Sequence, residues 1–382
     1  MMAVFLSSQG QSSQNNFFQN LKQSGFSFGI SETMEGYHNF TGGIRTGSDW
    51  ASTLDGNSTM DLQKLLGLKN ALFYADLEYH AGGNPTQKLT GDLQVFDKHN
   101  GAPFLQMLEL WYQQKFFKNR LRIKIGKIDA NAEFSVIDNG VEFINSSTQV
   151  TPTLFVFPTF PDPMPAVAIF FSPNKLVYTN FAVFNANRSD RFLDFYGDPA
   201  SVQPTLNGNL FISESGLTWD HLPVSAYDGN LKVGFWGHNG TFTKFNGSPL
   251  HGAGGIYLIF NQTVWEPPHN ENNNRGIRIF LEYARTDARI SPVYQHYGGG
   301  IAWTGPIGNH PDDEYGLSIQ NANISPEALL PEKYELNIET FYKFNISSRL
   351  SIKPDIQYII HPGGKYRNAL MGILIFTFAL NS

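Results

Sequence analysis

Four stretches of the chain set charges and rings at every second position. "ALFYADLEYH" (71–80) puts Tyr74, Asp76, Glu78 and His80 on one side. "FLQMLELWYQQKF" (104–116) does the same with Glu109, Trp111 and Gln113, and "RLRIKIGK" (120–127) with Arg120, Arg122 and Lys124. "GIRIFLEYAR" (276–285) adds Arg278, Phe280 and Glu282. Arg122, Lys124 and Arg278 can donate hydrogen bonds, and Asp76, Glu78, Glu109 and Glu282 can accept them. Tyr74, Trp111 and Phe280 offer flat faces for stacking. Donors, acceptors and plates together suit recognition of a polar solute more than bond chemistry. A plainer reading stands beside each: Arg278 and Glu282 neutralise each other along a wall, Glu109 pairs with a basic neighbour, and Trp111 fills space.

Catalytic sets are missing. The sequence has no HExxH, no GxSxG and no P-loop. It has no cysteine, which excludes a thiol nucleophile, a Cys-ligated zinc and a disulfide framework. No compact nucleophile, base and acid set is visible, so the chain reads as a non-enzyme without cofactor or metal. Asp129, Asn131 and Glu133 in "KIDANAEF" are ordinary turn residues, with a calcium loop as the alternative. His361, beside Pro362-Gly363-Gly364, reads as a turn residue. The Asn-x-Ser/Thr sequences at Asn39, Asn57, Asn145, Asn187, Asn239 and Asn261 read as turn chemistry.

The elements that must carry these residues are strands. Opposite the polar positions stand Phe73, Leu77 and Tyr79, then Leu108, Leu110 and Tyr112, then Leu121, Ile123 and Ile125, then Ile277, Ile279 and Leu281. A period of two means one wet and one dry face. "RLSIKPDIQYI" (349–359) repeats the pattern with Lys353, Asp355 and Gln357 opposite Ile352, Ile356 and Tyr358. Such segments run from about residue 26 to 380, and about sixteen can be counted, in one domain spanning 26–382. Residues 1–25 read as a polar lead-in, or as the remnant of an export signal. "MDLQKLLGL" (60–68) is the one locally helical stretch. Tight turns at 117–119, 172–175 and 345–348 alternate with long connections at 129–165, 187–209, 264–275 and 360–367. That predicts an up-and-down meander with one trimmed rim and one elaborated rim.

Composition narrows what the dry face touches. Charged residues are 16% and aromatics 14% of the 382 residues, against roughly 25% charged in an average soluble domain. The longest apolar runs, "AVAIFF" and "LMGILIF", fall far short of the ~18–20 residues a membrane-spanning helix needs. A membrane protein of this sequence has to be a closed barrel, whose strands satisfy each other's backbone. Segments of ten or more residues exceed the usual ~5–6 of soluble strands. A Lys or Arg facing lipid near the midplane costs ~2–4 kcal/mol. Arg120, Arg122 and Lys124 therefore face a wet lumen, and Leu121, Ile123 and Ile125 face lipid. The closing stretch "NALMGILIFTFALNS" (368–382) breaks the pattern by being apolar on both faces. A soluble all-β sugar-binding sandwich remains the alternative fold.

Several stretches resemble the OprB family of carbohydrate-selective porins. They are "DLQKLLGLKNALFYADLEYHAGG" (61–83), "LWYQQKFFKNRLRIKIGKIDANAEF" (110–134), "INSSTQVTPTLFVFPTFPDPMPAVAIFFSP" (144–173) and "DIQYIIHPGG" (355–364). They occur in the family's order and cover most of residues 26–380. The resemblance implies an all-β, antiparallel transmembrane barrel of sixteen strands in the outer membrane of a Gram-negative bacterium. Inward-folded loops form its constriction. It implies passive diffusion of monosaccharides, glucose above all, with membrane lipid and lipopolysaccharide as the other partners. Nucleic acid is no partner, and porins of this class occur as monomers and as trimers. The pore-lining candidates are the residues above: Tyr74, Asp76, Glu78, Glu109, Trp111, Arg122, Lys124, Arg278 and Glu282. The runner-up is a barrel of the same fold that prefers small anions, drawn by the ladder of Arg120, Arg122 and Lys124.

Overall fold

The computed structural model describes residues 20–99, 101–187, 193–197, 207–220, 227–267 and 275–381. The lead-in expected at 1–25 lies, up to residue 19, outside them. The strands are β1 (Phe26–Gly43), β2 (Gly47–Asp61), β3 (Ala71–Gly82), β4 (Phe104–Phe116), β5 (Leu121–Ile128), β6 (Met164–Phe171) and β7 (Val177–Asn185). A short β8 (Asp194–Gly197) precedes β9 (Asn209–Trp219), β10 (Gly229–Thr243), β11 (Pro249–Trp265), β12 (Gly276–Thr286) and β13 (Val293–Thr304). The chain ends with β14 (Glu314–Ile324), β15 (Tyr334–Ser347), β16 (Leu350–Ile360) and β17 (Arg367–Asn381).

Each strand pairs antiparallel with the next, except that β7 pairs directly with β9. β17 returns to β1 along Gly29↔Asn381 to Gly43↔Arg367, which closes the ring. The barrel proper thus has sixteen strands. β8 lies outside that ring and pairs with the upper part of β4, Phe104↔Gly197 to Gln106↔Asp194, beyond the point where β5 stops.

Two faces follow from the pleat. On β6, Ala166, Ala168 and Phe170 are buried while Val167, Ile169 and Phe171 are exposed. On β12, Phe280 and Glu282 are buried and Leu281 is 55% exposed. On β5, Lys124 is buried and Ile125 is half exposed. Inward positions carry the polar residues and outward positions the apolar ones, as the alternation requires. Glu32 is an exception: it stands in the outward register of β1 between Ile30 and Met34, and accepts from Ser52 Oγ at 3.4 Å.

The two-rim expectation holds only in part: the rim of tight turns also carries 62–70 and 305–313, and the other rim carries the short 44–46 and 361–366, the last expected to be long. The connections 83–103, 129–163 and 186–208 share one rim, and the turns 117–120, 172–176 and 348–349 share the other. The 266–275 connection, expected among the elaborated ones, sits on the trimmed rim, because it joins a descending β11 to an ascending β12; its residues 268–274 lie outside the described residues. The 83–103 connection was not foreseen as long. At 62–66 a one-turn helix does form, with Asp61 Oδ1 accepting from Gln63 N and Lys64 N and Gly67 closing it at φ 75°. The asparagine sequences are mostly not turns: Asn39, Asn57, Asn239 and Asn261 sit within strands. Asn145 does cap a turn, accepting from Ser147 N. His361 occupies a left-handed turn position at φ 54°.

The interior is filled by connections 83–103 and 129–163. Phe134, Ile137, Phe143, Leu154 and Phe157 from the second pack with Phe280, Phe341 and Tyr257 of the far wall. Leu89, Phe96 and Ile144 pack on Ala369, Met371, Ile373 and Ile375. This explains the doubly apolar closing strand. Its outer face, with Leu374, Phe376 and Phe378 exposed, meets lipid, and its inner face meets folded-in chain rather than water.

Candidate functional site

Tyr74, Asp76 and Glu78 on β3 lie beside Trp111, Glu109 and Gln106 on β4. The register survives only because Leu108 is bulged out between the Asp76↔Glu109 and Leu77↔Met107 pairs, so that Gln106 and Glu109 both point inward. Trp111 stacks on Tyr74 at 4.8 Å between centroids, 21° from parallel. Lys124 Nζ lies 3.8 Å over the same indole. Tyr74 Oη donates to Asp76 Oδ2 at 3.2 Å. Seven of the nine sequence-predicted residues thus meet on the adjacent strands β3, β4 and β5.

The basic pair does not stand free. Arg122 Nη1 and Nη2 donate to the two carboxylate oxygens of Glu133 at 2.9 and 2.6 Å, and Lys124 Nζ approaches Oε1 at 2.5 Å. A two-pronged guanidinium contact is the stronger, more directional kind of ion pair. Burial alone would raise the Glu133 pKa, but Arg122 and Lys124 outweigh it and hold the carboxyl below its usual value. Arg122 also lies 3.5 Å over the Phe170 ring. Glu109 takes no basic side chain: its Oε1 accepts from the backbone N–H of Asp129 at 3.0 Å. Asp129 in turn accepts from Asn131 N, Thr159 Oγ1 and Phe160 N. Asn131 Nδ2 donates to three backbone carbonyls. Asp129, Asn131 and Glu133 are therefore committed to holding the connection in shape.

Arg278 and Glu282 lie on β12, across the lumen. Arg278 reaches Thr304 Oγ1 at 3.1 Å and Glu266 at 3.9 Å, and not Glu282. Glu282 is buried beside His296, 3.8 Å away. Phe280 is wholly buried edge-on to Phe143, so its ring serves packing.

Sequence reasoning missed the residues that fasten the connections. Four inward glutamates, on three strands, accept backbone N–H groups from them. Glu109 takes Asp129; Glu214 on β9 takes Ser135 at 2.9 Å; Glu339 on β15 takes Ile144 and Asn145 at 2.7 and 3.1 Å. Glu335 takes Leu93, Gln94 and Gly363 at 2.8, 2.9 and 2.6 Å. Lysines complete the fastening, with Lys232 on Val136 O and Lys353 on Glu142 O. The signal was readable: "YELNIETFY" (334–342) alternates Glu335, Asn337 and Glu339 with Leu336 and Ile338.

A cavity of about 950 Å³ lies between these connections and the wall. Asp55 and Glu78 line it as acceptors, His99 with its imidazole, and Phe155, Phe157 and Phe160 as rings; Asp129 and Lys98 also border it, with Lys98 Nζ donating to Val141 O. Of the nine predicted residues Glu78 is the one on this lining; the others form the layer behind it or lie elsewhere. Burial lowers the Lys98 pKa to about 8.

A closed sixteen-strand barrel, apolar outside, polar within and narrowed by its own connections, defines a porin of the outer-membrane class. A sequence profile described as carbohydrate-selective porin, OprB family, matches residues 47–379. This chain belongs to that family, and its place is the outer membrane of a Gram-negative bacterium. Porin B of Pseudomonas aeruginosa is 21% identical over 376 residues, covering 83% of this chain and 79% of that protein. The high-pH structure of Pseudomonas putida OprB superposes with a TM-score of 0.84 at 18% identity, over 96% of this chain and 97% of the other. Its low-pH structure gives 0.64 at 14% identity, over the same shares of the two chains. At these identities the structures speak for the fold.

Proposed function

We propose that the chain passes monosaccharides, glucose among them, by passive diffusion, and that the 950 Å³ cavity is the place where they are sorted. One observation carries the reading: carboxylates, the His99 imidazole and phenyl rings converge on that lining. A sugar needs all three, because its hydroxyls donate and accept and its C–H faces stack. Binding there must be weak, so that solute leaves as readily as it enters. The anion alternative loses its main support, since Arg122 and Lys124 are tied to Glu133. The wall of Tyr74, Asp76, Glu109, Trp111, Arg122 and Lys124 then acts from behind, holding the lining in place. Arg278 and Glu282, on the opposite wall, complete the charged interior.

Single-channel recording in a planar bilayer tests this. Added glucose should lower the ion current in a saturable way, and Glu78→Gln should weaken that block several-fold at unchanged barrel content. A current that ignores glucose but falls with phosphate would overturn the proposal and favour the anion reading.

A further inference from the structure

Where β1 meets the 83–103 connection, Glu35, Asp97 and His99 bring one ligating atom each to within 4.8 Å of one another. Glu35 points inward from β1, and Asp97 and His99 stand two residues apart on the connection. Both carboxylates are buried, at 4% and 0% exposure, while the imidazole borders the cavity. His99 Nδ1 lies 2.9 Å from Glu35 Oε1 and 3.6 Å from Asp97 Oδ1.

Counting hydrogens shows something missing. The Tyr37 hydroxyl touches Oε2 of Glu35, at 2.7 Å, and also Oδ2 of Asp97. It has one proton and can satisfy one of them. The second oxygen–oxygen contact lacks a hydrogen, and two buried carboxylates face at most one positive imidazolium. Lys98 offers no relief, because its Nζ turns away to Val141 O at 2.9 Å. An additional proton would complete the second contact, whereas a metal cation would supply the positive charge that the two carboxylates lack.

The donor set favours the metal. One imidazole nitrogen and two carboxylates are ligands that zinc takes, whereas calcium and magnesium prefer oxygen alone. The supports are firm. Glu35 sits on a paired strand, Asp97 Oδ1 accepts from the His99 N–H at 3.0 Å, and Tyr37 is held edge-on by Phe96 at 5.9 Å. Tyr37 would then orient one of the two carboxylates from behind, as hydrogen-bonding partners of metal ligands do.

We propose that Glu35, Asp97 and His99 form a site for a divalent cation of the zinc type, which fastens the 83–103 connection to the barrel wall. Detergent-purified protein, stripped with EDTA, is titrated with zinc chloride alone by calorimetry. Heat-modifiable gel mobility checks that each variant keeps its barrel. One ion per chain is expected, with affinity reduced about tenfold or more in Glu35→Gln and His99→Gln. Tyr37→Phe should cost about 10–100-fold. His310→Gln, at an exposed position elsewhere, should change nothing. Zinc X-ray absorption should show one nitrogen neighbour among oxygens. Absence of saturable binding, or binding unchanged in both Glu35→Gln and His99→Gln, would overturn the site and assign the cluster to a shared proton. If Glu35→Gln does not assemble, His99→Gln, on the connection and outside the paired wall, decides alone.

Discussion

Glu133 shows how a single carboxylate changes the meaning of its neighbours. Without it, Arg122 and Lys124 would present two positive charges to the lumen. With it, the three groups form a brace between β5 and the 129–163 connection. Glu133→Gln should therefore do two things. Local opening of residues 129–135, read by hydrogen exchange, should become easier by about 2 kcal/mol, less than a fully buried pair loses because Arg122 is partly exposed. The zero-current potential in a salt gradient should also move toward anion preference. Asp92 offers a second test at this scale. Burial pushes its pKa up to about 6 from 3.8. Glu335, Thr90 and Thr86 are the groups around it. The docked connection then retains a proton that the released one gives up near pH 4. Docking is strongest below about pH 4 and weakens as pH rises to about 6, by up to ~3 kcal/mol. Protection of the Leu93 and Gln94 amides should follow that slope, and Asp92→Asn should flatten it.

The strands were the most legible part of the sequence, because a period of two is imposed by the pleat and not by context. β5 is the sharpest test of that logic. Ile123→Arg should block assembly, since a lipid-facing cation costs ~2–4 kcal/mol at mid-height. Lys124→Gln should leave the heat-modifiable barrel intact and alter conductance. Less legible was anything that depends on one inserted residue or on distant chain. The Leu108 bulge shifts the inward set from Gln106 to Glu109, and nothing in "FLQMLELWY" marks it. The candidate residues of β3, β4 and β5 were found because they share a face. His99 and Asp97 were not, because they come from a connection with no period to follow. The role of Arg122 and Lys124 was equally hidden, since it rests on where the 129–163 connection folds.

At the scale of the whole molecule, the barrel wall and its filling are separable. The wall is closed by β1 and β17, so none of the sixteen strands of the ring is an edge strand. The filling is a pair of connections fastened by glutamates and lysines. Replacing residues 132–160 by a short Gly-Ser turn should keep a folded barrel, raise single-channel conductance several-fold and abolish glucose block. Unchanged conductance in that variant would show that the narrowing lies elsewhere.

The closing strand carries a consequence for how the protein is made. Ala369, Met371, Ile373 and Ile375 are sheltered only once Leu89, Phe96 and Ile144 have come inside. Before that, β17 is apolar on both sides. A newly exported chain therefore carries in β17 a segment with no polar side, the kind of extended apolar stretch that escort proteins grip. Seam closure and lumen filling are thereby linked in time: a barrel sealed before its connections entered would leave a greasy stripe facing water inside the pore.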